Sequence, residues 1–82
     1  MKVKTEILIQ WREGLKVSAK RKAEIIRLAG VRRLRDSNSV FVEMTIVAPV
    51  DDRESTVKHA IHRLERYHEV QFAEVNAKYY AQ

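Results

Sequence analysis

The chain has 82 residues, 16 Lys+Arg against 11 Asp+Glu, no Cys, one Pro and two Gly, with 45% apolar residues. That length holds one domain spanning residues 1–82, and a fold this small buries only roughly 60% of the surface its unfolded chain exposes. Without disulfides or cysteine-ligated zinc, it must rely on regular elements or on a partner subunit, so self-association is expected. Its apolar runs fall far short of the roughly 20 residues of a membrane span. The opening Met1-Lys2-Val3-Lys4-Thr5-Glu6 lacks the apolar core of a signal peptide, which leads us to expect a cytoplasmic protein.

From Val3 to Trp11 every second side chain (Val3, Thr5, Ile7, Ile9, Trp11) suits burial, and polar residues dominate the other parity; this period of two predicts a half-buried strand. Glu13-Gly14 breaks it. Ser18 then stands as N-cap of a helix over about 19–29, with Ala19, Ala23, Ile26 and Lys22, Ile25, Ala29 as adjacent stripes and Gly30 at its C′ end. Val31 to Asp36 is short and arginine-rich, and Asp36-Ser37-Asn38-Ser39 favours a turn leading into a hairpin arm. In that arm, Val40 to Ala48, the alternation predicts Val40, Val42, Met44, Ile46 and Ala48 inward and Phe41, Glu43, Thr45 and Val47 outward. Pro49 ends it.

Asp51 and Glu54 have the spacing of a capping box for a helix reaching about His68, whose apolar face is Val57, Ala60, Ile61, Leu64 and Tyr67. His68 suits the carbonyl-rich end of that helix. After Glu69 the period of two returns, with Ala73, Val75, Ala77 and Tyr79 on one side. A final strand is expected, with a continued helix over residues 70–80 as the alternative, because Ala, Glu and Lys are good helix formers.

The order strand, helix, strand, strand, helix, strand predicts an α+β, ferredoxin-like βαββαβ sandwich, with two helices on one face of a four-stranded antiparallel sheet. The other sheet face is then uncovered. Leu8, Phe41, Val47, Phe72 and Tyr80 fall on the outward parity and are the expected dimer interface, with scattered surface apolar residues as the plainer alternative.

Charge is local. Residues 16–35 hold eight cations (Lys16, Lys20, Arg21, Lys22, Arg27, Arg32, Arg33, Arg35) and one acid, Glu24, a net +7 against +5 for the whole chain, so the remaining residues are net negative. Such a patch attracts polyanions by displacing counterions from phosphates, which makes nucleic acid the expected partner; a solvated helix face plus edge protection is the alternative, and a protein partner stays open. None of the aromatics lies inside the window, so binding at the level of the phosphate backbone is what it could support.

His59 and His62, three apart on the second helix with Glu65 three further on, have the spacing of a weak zinc site, but solvated surface histidines are the preferred reading. No cofactor is expected. Ser18, Ser37, Ser39 and Ser55 stand in no nucleophile elbow, and Gly14 and Gly30 form no phosphate-cradling loop. The reading is of a binding module and not an enzyme.

The run from Phe41 to Val47, together with Thr56 to Glu65, resembles the cytoplasmic C-terminal domain of cation diffusion facilitator transporters, and Gly30-Val31 and Leu34-Arg35 resemble the start of its first strand. The likeness covers about half the chain. It implies a ferredoxin-like dimerising module, hence the alternative of a regulatory or scaffold domain. The family's metal-binding histidines fall on Thr45, on Lys58 and near Lys78, and a lysine ammonium repels zinc. The front of the chain, Gly14-Leu15-Lys16 with a helix ending Ile25-Ile26-Arg27-Leu28-Ala29, is similar to the histidine-containing phosphocarrier proteins of sugar uptake, with the phosphorylated histidine falling on Lys16. Lysine does not take over that relay. Both likenesses imply an open-faced α/β sandwich.

Overall fold

The first strand, β1 (Ile7–Trp11), buries Ile7, Ile9 and Trp11 and leaves Leu8 and Gln10 half-covered, as its alternation predicts. In the computed structural model, which describes residues 3–76, it is followed by α1 (Ala19–Leu28), β2 (Arg32–Asp36), β3 (Met44–Ala48), α2 (Glu54–Glu65) and β4 (Val70–Val75). The strands form one antiparallel sheet in the order β2-β3-β1-β4. Ile7, Ile9, Trp11, Val47, Val70 and Ala73 on one sheet face pack with Ile25, Ile26 and Ala29 of the first helical segment and Val57, Ala60 and Leu64 of the second. Both helices therefore cover the same face, and the fold is the expected α+β, ferredoxin-like sandwich. Among the described residues no helix is long and apolar enough to cross a membrane.

The caps explain where α1 starts and stops. The Ser18 hydroxyl accepts the Arg21 N–H at 3.1 Å. At the other end the Val31 N–H reaches the Ile26 carbonyl and the Gly30 N–H that of Arg27, a Schellman closure that requires the positive φ of Gly30, +76°. The expected capping box of α2 does not form. Arg53 occupies the N-cap without a side-chain bond, and the Asp51 carboxylate accepts the Arg53 N–H at 2.9 Å. Asp52 instead accepts the N–H groups of Lys4 (3.0 Å) and Thr5 (2.7 Å), tying the segment before β1 to the α2 entrance. A hydrogen bond from the Thr5 side chain, with these backbone N–H groups, holds the Asp52 carboxyl below the usual carboxylate range.

The parity expected for β3 is inverted. Val47 pairs with Ile7 and Thr45 with Ile9 on the helix side, so Ile46 and Ala48 face the other way. The inversion was not legible because Thr45, Ile46, Val47 and Ala48 are all 3% exposed or less, and a strand buried on both faces carries no alternation to read. Thr45 is accommodated on the helix side because its hydroxyl accepts the Trp11 indole N–H at 2.9 Å and donates to Asp36 at 3.2 Å. The arm is also shorter than expected: Val40 and Phe41 lie in the β2–β3 turn, where the Ser39 hydroxyl accepts the N–H groups of Phe41 and Val42.

The last segment is a strand and not a continued helix. Its register against β1 shifts between Gln10 and Trp11, so that Gln10 faces Phe72 while Trp11 faces Val70, and Gln71 is the extra residue. That bulge brings both Val70 and Ala73 to the core side despite their odd spacing. A second bulge, at Leu34 between Arg33 and Arg35, does the same in β2. The expected positions of Ala77, Tyr79 and Tyr80 lie outside the described residues.

Candidate functional site

Four of the eight cations of the 16–35 window are neutralised within the fold. Arg21 meets Glu69 at 2.7 Å and Glu24 at 2.6 Å, with its guanidinium 5.6 Å from the Tyr67 ring centroid. Lys22 pairs with Glu43, its ammonium 5.7 Å from the Trp11 ring centroid. Arg33 pairs with Asp36 at 2.8 Å and Arg35 with Glu6 at 2.7 Å. The electrostatics follow these contacts. The hydrogen bond from Arg21 holds the Glu69 carboxyl below its ordinary range, that from Arg35 does so for Glu6, and that from Arg33 for Asp36.

Lys16, Lys20, Arg27 and Arg32 are exposed and form no ion pair among the described residues. They do not form one patch. Lys16 sits in the β1–α1 loop; Lys20 and Arg27 project from the outer side of α1, opposite the buried Ile25, Ile26 and Ala29; Arg32 lies on the edge strand β2, opposite Ala48 and thus on the face away from the helices. The helix layer gains two cations that lie beyond the basic window. Arg63 and Arg66, exposed and without ion pairs among the described residues, line with Leu28 and Tyr67 a shallow groove of about 340 Å³ between the helices. A Cβ at Gly30 would lie 3.8 Å from the Arg63 guanidinium, so this side chain extends across to the end of α1. The sequence signal for the pair was their i, i+3 spacing in the last turn of an amphipathic helix, where cations also suit the helix dipole.

The outer side of the helix layer is therefore basic in effect. Lys20 and Arg27 stand free on α1 and Arg63 and Arg66 on the end of α2, while Glu24 is held by Arg21 and Glu54 by Lys58 at 3.1 Å. His59 and His62 share this side and are exposed. Glu65, the third group of the expected zinc spacing, instead accepts the Ala73 N–H at 3.2 Å beside β4, and no cluster of three metal-binding side chains occurs among the described residues.

The open sheet face differs from expectation. Leu8 and Phe72 lie on it, half-buried. Val47 does not: it is fully buried beneath the helices. Phe41 stands off the sheet at the β2–β3 turn, 84% exposed beside the 91% exposed Val40, and Tyr80 lies outside the described residues. Met44 and Ile46 take the places the inverted parity vacates. Arg35 also crosses this face. From β2 it reaches over β3 to Glu6, just before β1, whose carboxylate also accepts the Asn76 amide at 3.3 Å. The strap crosses β3, whose Ile46 and Ala48 are buried on the face away from the described helices.

A cleft of about 470 Å³ lies between the β1–α1 loop and the β2–β3 turn, with Trp11, Lys16, Lys22, Phe41 and Glu43 among its walls. Its polar groups serve the fold: the indole N–H belongs to Thr45 and Lys22 to Glu43. The hydroxyls of Ser18 and Ser39 cap backbone N–H groups. Chemistry on a covalent substrate finds no activated group in these contacts, whereas the helix layer offers free charge. No family, no curated protein and no solved structure matches this chain.

Proposed function

We propose that this protein is a small non-enzymatic binding module that engages a polyanion, most directly the phosphate backbone of a nucleic acid, through its helix layer. The observation that carries the reading is the imbalance of free charge there. Lys20, Arg27, Arg63 and Arg66 have no ion pair among the described residues, whereas on the same two helices Glu24 and Glu54 are paired and Glu65 is turned to the Ala73 N–H. Phosphates approaching this surface meet cations whose counterions can be released, which is the sequence-independent source of nucleic-acid affinity. Tyr67, the one aromatic of the groove, lies beneath the Arg21 guanidinium and does not offer an open stacking platform. The binding is therefore tolerant of sequence.

The test is fluorescence anisotropy with labelled duplex DNA and single-stranded RNA. Four phosphate contacts would lose roughly 100-fold in affinity between about 50 and about 200 mM salt. Replacing Lys20, Arg27, Arg63 and Arg66 together by Gln is expected to abolish most binding and flatten the salt dependence, whereas Arg33→Gln, at a cation already held by Asp36, changes little. Equal affinity of the quadruple variant and the parent protein would overturn the reading.

A further inference from the structure

We infer that the open sheet face binds a second copy of this chain, with a two-fold axis parallel to the strands. This inference concerns the face opposite the helix layer and does not depend on nucleic acid. The strand register sets Arg35, Ile46, Leu8 and Glu74 in one row across the open face, from edge strand β2 to edge strand β4. The row is apolar in the middle, cationic at one end and anionic at the other.

The symmetry follows from that polarity. A two-fold axis along the strands lays β2 of one copy over β4 of the other, and β3 over β1, so the cationic edge meets the anionic edge twice. An axis in the sheet plane but across the strands would instead lay β2 on β2 and β4 on β4, like charge on like charge, which costs affinity. Edge-to-edge pairing of two arginine-rich β2 strands meets the same repulsion. Charges with no partner among the described residues are present at both edges. Arg35 is held by Glu6, but Arg32, one row further along β2, and Glu74 on β4 are exposed and form no ion pair among the described residues. Sheets packed face to face lie about 10 Å apart and successive same-face residues of a strand about 7 Å, distances that an Arg and a Glu side chain span together. Half-buried Leu8, Met44 and Phe72 supply the apolar centre, and the charges form its rim.

Sedimentation equilibrium of the full chain in nucleic-acid-free buffer tests this, with thermal melts to show that each variant is folded. The parent protein is expected to be dimeric. Arg32→Glu sets acid against acid at both rims and Glu74→Arg sets cation against cation, so each alone is expected to weaken association at least about tenfold. An equimolar mixture of the two variants is expected to associate about as tightly as the parent, because in the mixed dimer both rims again join opposite charges. A chain that stays monomeric at every concentration overturns the inference. So does a dimer that neither variant weakens, or a mixture no tighter than either variant alone. Loss of nucleic-acid binding in the quadruple helix variant would leave these outcomes unaffected, so the two readings fail separately.

Discussion

The two faces of the sheet are closed by different physics. On one, Ile7, Ile9, Trp11 and Val47 meet the apolar stripes of both helices in a dry core. On the other, a single arginine reaches across a strand to a glutamate, over the strand that carries the buried Ile46 and Ala48. One face is thus held by close packing, and the other is crossed by a charged strap. Close packing depends on every neighbour, whereas a strap depends on one contact that salt and pH can loosen.

The largest expected effect is on the packed side. Leu64→Ala removes a fully buried side chain where both layers meet and is expected to cost about 2–5 kcal/mol by chemical denaturation, while Ile46→Ala costs less because Arg35 and Leu8 can settle into the gap. Equal losses at the two sites would break the comparison. A middle effect comes from the polar chain that runs through the packed side. Thr45→Val leaves the buried Trp11 N–H without its acceptor and is expected to cost about 1–3 kcal/mol, more than the near-equal volume would suggest.

The smallest effect belongs to the strap. Glu6 has a lowered pKa in the fold, first through its hydrogen bond from Arg35, so its contribution to stability is complete above the unfolded carboxylate value near 4.3 and is lost as the pH falls through that value and the lower folded one. Glu6→Gln is therefore expected to lower Tm slightly at pH 7, and the gap from the parent protein to close as the pH falls below both values. A gap that persists in acid would mean that the side chain acts through shape and not charge.

Much of the fold could be read in the sequence because its signals are local. Ser18 and Gly30 bracket α1, the alternation of β1 is clean, and Val57, Ala60 and Leu64 mark the buried side of α2. What could not be read depends on distant partners. Sequence shows eight cations close together but not that Glu69, Glu43 and Glu6, 48, 21 and 29 residues away, neutralise three of them. Nor does it show that Arg63 and Arg66 join Leu28 at one groove, since helix packing alone makes them neighbours. The β3 parity failed because Thr45 to Ala48 are buried on both faces, so neither parity is marked by polarity.

The place of Trp11 has an optical consequence. It is the single tryptophan of the chain, 2% exposed, hydrogen-bonded to Thr45 and close beneath the Lys22 ammonium, at the end of β1 where the β2–β3 turn and the β1–α1 loop meet. Its emission therefore comes from one defined environment, shielded from aqueous quenchers. Loss of the core and separation of the two loops both change that environment, so unfolding of the whole chain and opening of this end of the molecule are recorded in the same fluorescence band.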